Sequence, residues 1–265
     1  MNPGAGAHQT LSQYPSHPPP FAVRLVVTPP HACSYFDDRT ARTRAFWASA
    51  LPSELYHQFM DAGFRRSGRL IYQPVCDGCR DCVPIRVPVN RFAPSKSQRR
   101  CWRKNQDLSV STCVPQPTAE KRDLYERYRR DWHGAQDGQD WESFISFLYD
   151  SPVNTTEFCY RDPRGRLLGV GICDLCSQSL SSVYFYFDPD HARRGLGTFA
   201  ALWEIDFARR HAIEHYYLGY WVGGCGPMEY KSSFRPCEML GTDGVWREAP
   251  RDHLPGLETV SINRT

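Results

Sequence analysis

Cys76-Asp-Gly-Cys79-Arg-Asp-Cys82 places three thiols in one short turn, as C-x2-C-x2-C. Two residues between cysteines let both sulfurs point inward while the turn's backbone amides face a bound ion. Tetrahedral zinc and iron–sulfur clusters both use that spacing. Three thiolates leave a place for a fourth ligand. Cys33 is the first candidate, with His31 and Cys101 behind it. Sulfur-only ligation suits either zinc or an iron–sulfur centre; the alternative is three free thiols in a surface turn. Cys173 and Cys176 form a lone C-x2-C that reads as buried thiols.

The cysteine turn lies in a basic stretch. Residues 65 to 105 hold 11 Lys/Arg against two Asp, a local charge of +9 in a chain whose net charge is only +3. Charge concentrated in this way marks one face for an acidic partner rather than a molecule that binds any polyanion. Arg65, Arg66 and Arg69 flank a turn, and Lys96, Arg99, Arg100, Arg103 and Lys104 crowd one short segment around Trp102. Guanidinium forks match phosphate oxygens. Trp102 either stacks on an unpaired base or packs internally. No helix-turn-helix, zinc-finger histidine pair or RRM pattern is present, so the single-stranded end of a folded RNA suits the segment better than duplex DNA.

A third candidate runs from Val183-Tyr-Phe-Tyr-Phe-Asp188 through a turn to Gly195-Leu-Gly197-Thr198. Glycines there free the backbone amides at a helix start, where the dipole attracts a phosphate or an oxyanion. The arrangement resembles the acyl-coenzyme A turn of GNAT-type N-acyltransferases. That pattern places Gln or Arg three positions before the first glycine. Ala192 stands there in this chain, which argues against coenzyme A.

The elements that must carry these groups follow from periodicity. Residues 1–20 are rich in Pro, Gly, Ser and His and bury too little apolar area to order. Phe21–Thr28 reads as a strand, and Arg42–Met60 as partly helical with a break at Pro52. Gly63–Tyr72 reads as a turn into a strand, Val83–Val89 as a strand, and Ser97–Leu108 as a basic helix. Lys121–His133 and Trp141–Tyr149 read as helices; Glu157–Arg161, Leu167–Leu175 and Ser181–Phe187 read as strands. Thr198, Ala201, Leu202, Ile205, Ala208 and Ala212 share one helical face, so 198–212 is a helix, and His215–Trp221 is a strand.

The division expected is a disordered start (1–20), a cysteine-bearing module (21–115), an α/β domain (116–250) and a polar tail (251–265). There is no signal-peptide pattern and no run of 18 apolar residues. A cytoplasmic protein with no membrane partner is expected. Its 11 cysteines then read as ligands, buried thiols or reactive groups rather than a disulfide framework.

The segment Tyr216-Tyr-Leu-Gly-Tyr-Trp-Val-Gly-Gly-Cys-Gly-Pro-Met-Glu-Tyr-Lys-Ser-Ser-Phe-Arg-Pro236 is unlike general scaffold sequence. It closely resembles the C-terminal signature of the aminoacyl-tRNA–protein transferases. Gly63-Phe-Arg-Arg-Ser-Gly68, the cysteine block with Val83–Val87, and Ser181–Pro189 with Gly195–Thr198 resemble that family's other blocks in order. Phe92–Arg100 and Asn105–Leu108 fit its bacterial branch. The resemblance spans roughly residues 21 to 240.

The resemblance implies an α+β fold with a GNAT-like acyltransferase core and an N-terminal cysteine module holding zinc or an iron–sulfur centre. It further implies leucyl-tRNA as donor and proteins beginning with Asp or Glu as acceptors, whose leucylated products are marked for degradation. Arginine is the alternative donor. The eukaryotic pattern has an early C-x2-C, whereas here Phe36 follows Cys33 at the second position; the third thiol of the later run fits a set of Cys33, Cys76, Cys79 and Cys82.

The reaction implied is aminolysis of an activated ester, which requires no cofactor for its chemistry. The site must deprotonate an amine of pKa about 7.7–8.0. It must also stabilise an oxyanion and return a proton to the leaving ribose oxygen. Candidates for proton handling are Tyr186, Asp188 and Tyr230. Arg65, Arg66 and Lys231 are candidates for the acceptor's carboxylate; Arg99, Arg100, Arg103 and Arg235, with the Gly195–Gly197 amides, are candidates for tRNA. The rival classes are an acetyl-coenzyme A N-acetyltransferase and a non-catalytic, metal-bearing RNA-binding module.

Overall fold

The first half of the chain alternates short apolar runs with turns and builds small strands. They are β1 (Val26–Val27), β2 (His31–Ala32), β3 (Thr40–Ala41) and β4 (Thr43–Trp47), followed by helix α1 (Ser53–Asp61), β5 (Arg65–Ser67), β6 (Leu70–Pro74) and β7 (Val83–Pro88). Next come α2 (Lys96–Lys104), β8 (Ser109–Cys113), α3 (Ala119–His133) and α4 (Trp141–Leu148). The second half holds β9 (Thr155–Arg161), β10 (Leu167–Leu175), β11 (Ser179–Phe187), α5 (Leu196–Arg210), β12 (His215–Trp221), α6 (Gly226–Glu229), β13 (Glu238–Leu240) and β14 (Trp246–Glu248). This computed structural model describes residues 23–135, 138 and 140–250. The disordered start and polar tail expected at 1–20 and 251–265 lie outside the described residues.

Eight strands form one sheet in the order β14-β13-β7-β12-β11-β10-β9-β8. A smaller sheet runs β1-β4-β6-β5, and β2 pairs with β3. The boundary expected near residue 115 falls just after β8, yet both β7 and β8 belong to the large sheet. Thr43–Trp47, expected within a partly helical segment, is a strand paired along β6. Phe46 packs on Phe59 of α1, with ring centroids 4.9 Å apart, and this tertiary packing with the pairing to β6 overrides helix propensity.

Helix ends follow their sequence signals. Ser95 and Gln98 form a reciprocal capping box at the start of α2. Thr118 and Asp140 cap α3 and α4, and Gly134 ends α3 in the left-handed region.

The main core lies between the large sheet and helices α3 and α5, around the fully buried Phe158, Tyr160, Tyr186, Phe199 and Trp221. A second core joins α1 and the small sheet to Tyr217 of β12 and to Cys176, in the turn just after β10. Charged groups rivet the same seam. Arg66 pairs with Asp174 at 2.6 and 2.7 Å with both side chains fully buried, and the Tyr56 hydroxyl donates to the same carboxylate at 2.8 Å. Arg86 pairs with Asp61 at 2.6 Å and with Glu238 at 2.8 Å.

The large sheet opens at one place. Strands β11 and β12 are parallel and pair only from Ser179–His215 to Ser181–Tyr217. Both continue, to Phe187 and Trp221, without further pairing to each other. Val183 is an extra residue in β11, between Ser182 opposite Cys173 and Tyr184 opposite Ile172. Such a bulge bends and twists its strand. The strand–helix–strand unit β11-α5-β12 with this divergence, laid on antiparallel β9 and β10, is the GNAT-like core.

Candidate active site

Two cations stand at the divergence. Arg65, on β5, reaches across to β11: Nη1 donates to Ser181 Oγ at 2.8 Å and Nη2 donates to the Ser182 carbonyl. Its guanidinium lies over Gly219, where a Cβ would come within 3.1 Å of it and where φ is +90°, a conformation that favours glycine. Lys231, in the turn after α6, is 8 % exposed and donates to the Tyr220 carbonyl at 2.7 Å. Burial, then the neighbouring Arg65 charge, pulls its pKa down to about 7. Neither cation has a carboxylate partner among the described residues.

Arg66 does not join them. Successive strand residues face opposite sides, so Arg66 turns to the seam and its fork is filled by Asp174. The expectation that it pairs with an acceptor carboxylate gives way to this structural pairing.

The proton-handling candidates also separate. Tyr186 is sealed in the core, with its hydroxyl 3.2 Å from that of Tyr149. Asp188 caps the turn at 189–194, accepting from the Asp190 amide, and pairs with Arg127 at 2.9 Å. Both therefore have structural work outside the opening. Tyr230 is different: its side is 45 % exposed while its hydroxyl end is enclosed, and burial pushes its pKa up to about 12.

The basic helix carries a second feature. α2 packs along α5, with Trp102 stacked on Trp203 at 5.9 Å and 18°. Between the helices lies a cleft of about 380 Å³ lined by Phe92, Arg99, Trp102, Arg103, Leu202 and Arg209, among others. Arg99, Arg100 and Arg103 are exposed, and none of them forms an ion pair within the described chain. Gly195 (φ +70°) starts α5 beside Cys101 of α2, and Gly197 lies in the first turn near Phe185. Arg235 stands apart, bonded to the Ala249 carbonyl at 2.8 Å.

Cys33, Cys76, Cys79 and Cys82 do come together. Burial, then the charges of Cys76, Cys33 and Cys79, pushes the Cys82 thiol up to about 12. Backbone amides of Tyr35 and Arg42 donate to the sulfurs of Cys33 (3.5 Å) and Cys76 (3.4 Å). Four cysteine sulfurs gathered in this way are a donor set whose chemistry fits a soft metal or cluster. No three of these sulfurs lie within 4.8 Å of one another. That is wider than the roughly 3.8 Å edge implied by zinc–sulfur bonds of ~2.3 Å. Cys113, Glu157 and Cys159 do cluster within 4.8 Å, but there the Lys121 ammonium already pairs with the Glu157 carboxylate.

Sequence reasoning missed Glu204. This α5 carboxyl is 1 % exposed and accepts from the Tyr216 hydroxyl. Its one sequence signal is a Glu spaced three and four residues from Ala201, Ala200 and Ala208 on an apolar helix face.

An acyltransferase core with an opening flanked by unpaired cations defines the class: an enzyme that passes an acyl group to an amine. The descriptions "Arginine-tRNA-protein transferase, N terminus" and "Arginine-tRNA-protein transferase, C terminus" match residues 31–100 and 120–241. The chain belongs to this family and is an aminoacyltransferase. It is 42 % identical over 239 residues to an aspartate/glutamate leucyltransferase of Stenotrophomonas maltophilia (strain K279a), covering 87 % of this chain and 94 % of that one. It is 40 % identical over 227 residues to the leucyltransferase of that name from Pseudomonas putida (strain W619), covering 82 % and 94 %. A solved GCN5-related N-acetyltransferase from Kribbella flavida is 12 % identical, with a TM-score of 0.35 over 68 % of this chain and 58 % of that one. Among the described residues no helix is long and apolar enough to cross a membrane.

Proposed function

We propose that the protein transfers leucine from leucyl-tRNA to the N-terminal amine of proteins that begin with Asp or Glu, which marks them for degradation in the cytoplasm. The observation that carries the reading is the pair Arg65 and Lys231. They are two neighbouring cations beside the open edges of β11 and β12, with no acid to balance them. Like charges held together out of bulk water are costly without an anion. The side-chain carboxylate of an acceptor's first residue supplies that anion and brings its α-amine to the opening. The leucyl donor is supported by the relatives' names.

The chemistry follows from placement. The aminoacyl ester enters between β11 and β12, and the acceptor amine attacks its carbonyl. Holding two reactants in register supplies much of the acceleration for an ester already activated. The ribose oxygen leaves on the side of Tyr230, whose enclosed hydroxyl stays protonated near neutral pH and can steady that oxygen with a hydrogen bond. Arg99, Arg100 and Arg103 contact acceptor-stem phosphates. The cleft beside Trp102 takes an unpaired base, and the amides of 195–197 face the tRNA end. A metal or cluster, when bound, would be held by Cys33, Cys76, Cys79 and Cys82. It would cross-link the loop before β3 to the turn before β7, supplying structure beside Arg65 rather than a reaction step.

Labelled leucyl- or arginyl-tRNA, offered with peptides beginning with Asp, Glu, Asn, Lys or Ala, tests the reading. Label passing from leucyl-tRNA to Asp and Glu peptides alone is expected. Transfer from arginyl-tRNA would replace the donor, and no transfer from either would favour a non-catalytic RNA-binding module.

A further inference from the structure

Five carboxyl side chains are buried among the described residues: Glu157, Asp162, Asp174, Asp188 and Glu204. Four of them have a cation. Lys121 pairs with Glu157, Arg166 with Asp162, Arg66 with Asp174, and Arg127 and His191 with Asp188. Glu204 has none. A carboxylate buried without a counter-charge is costly, and a chain that needs only stability fills such a place with an apolar group.

The place is the root of the opening. Glu204 projects from α5 onto the end of the β11–β12 ladder. The Tyr216 hydroxyl, from β12, donates to Oε2. The Cys173 thiol of β10 and the Ser182 hydroxyl of β11 lie beside the carboxyl. Oε1 is enclosed and has no partner of full hydrogen-bond geometry. It faces the backbone of β10 at Gly171, where any Cβ would come within 2.8 Å of it, so glycine makes the room. Ser182 is the first residue of β11 past the last paired one and is partly exposed. One hydroxyl thus lies between a buried, uncompensated carboxyl and the open strand edges. The other titratable groups facing Glu204 are Tyr160 of β9 and Tyr230 on the open side.

We propose that Glu204 is the proton acceptor for the transfer reaction, reached from the acceptor amine through the Ser182 hydroxyl. The inference rests on the transferase reading of the opening. The α-ammonium gives one proton to the Ser182 oxygen as that hydroxyl passes its own to the Glu204 carboxylate. The freed lone pair forms the C–N bond. The C–O bond to the ribose then breaks, its electron pair leaves with the oxygen, and that oxygen takes the second proton released from nitrogen. Glu204 returns its proton to solvent by the same hydroxyl. Burial pushes the carboxyl up to about 7, against the opposing hydrogen bonds. It therefore changes charge near the pH at which a free α-amine does, about 7.7–8.0, which is the match an acid–base partner needs.

The active form is the carboxylate, so kcat should rise with pH through about 7. The test measures kcat between pH 5.5 and 9, with whichever of leucyl- or arginyl-tRNA the unmodified protein uses, on an Asp-ended peptide. Using that donor keeps a wrong donor assignment separate from a wrong proton acceptor. Carbon-13 NMR of labelled glutamate reads the carboxyl without turnover. Glu204→Gln keeps the shape and the contact with Tyr216. It should cost about 100-fold or more in kcat, as general-base loss does, with the acid limb abolished and tRNA affinity unchanged. Tyr216→Phe removes a donor to the carboxylate and should move the limb to higher pH in a folded protein. Should Glu204→Gln not fold, that shift and the NMR midpoint decide the matter. A folded Glu204→Gln protein with the parent kcat and limb, or a Tyr216→Phe protein whose limb stays in place, would overturn the proposal.

Discussion

The seam between the two sheets and the opening between β11 and β12 use the same residue types in opposite ways. At the seam each buried charge is answered: Arg66 by Asp174, Arg86 by Asp61 and Glu238. At the opening Arg65 and Lys231 bond to neutral groups, serine and carbonyl oxygens and the Met228 sulfur, and the hydrogen-bonding neighbours of Glu204 are hydroxyls and a thiol. Answered charges hold the protein together. In the function proposed above, the unanswered ones are the groups that meet substrates, and their cost in stability is the cost of that role.

The largest effect should come from breaking the seam. Arg66→Ala strands Asp174 as a buried charge without its partner. The expected loss is about 3–5 kcal/mol, read by urea denaturation. Arg65→Ala removes hydrogen bonds to Ser181 and the Ser182 carbonyl and should cost far less stability while hurting transfer more. Equal stability losses for the two would erase the contrast drawn between neighbouring residues of one strand.

That contrast was half visible in the sequence. The cluster Arg65-Arg66 was legible as a concentration of positive charge, and strand periodicity says the two must face opposite ways. Which face meets Asp174 depends on a contact 108 residues away along the chain, beyond local reading. Strong local patterns transferred well: β10 and β12 have the bounds their apolar runs indicate, and α5 follows its apolar face to within two residues at each end. β8, β13 and β14 carry no strand signal of their own, because Ser109–Cys113 and the short three-residue pairs gain their order from neighbours, not from pattern. Glu204 is hidden in the sequence for a related reason. A single acid within an apolar helix reads as an exposed position until the strands beneath it are known.

A second, smaller effect separates the cation from the acid at the opening. Lys231→Met should raise KM for Asp- and Glu-ended peptides about tenfold, the value of roughly 1.4 kcal/mol, with KM for the tRNA donor unchanged. The sign of the pH effect differs from that of Glu204. Lys231 holds a carboxylate only when protonated, and its pKa stands at about 7. Acceptor KM should therefore climb as pH rises above that value, at most about tenfold per unit, while kcat is still being carried upward by the acid. A Lys231→Met protein with the parent KM would take the lysine out of acceptor binding and leave Arg65 alone in that role.

The smallest effect lies farthest from both regions. Arg99 and Arg103 are exposed and unpaired, and neither the seam nor the opening depends on them. Arg99→Gln with Arg103→Gln should therefore leave thermal stability within about 0.5 kcal/mol and kcat at saturating donor intact. What changes is the salt dependence of tRNA binding. Each phosphate contact contributes a slope of about 0.7–0.9 in log K against log salt, so losing two should flatten the plot by roughly 1.5. A flattening of that size, with Trp102→Ala weakening binding without altering the slope, would separate phosphate contacts on α2 from stacking in the cleft beneath it. An unchanged slope would place the tRNA on another face, because solvent-exposed guanidiniums that release no counterions are touching no phosphates.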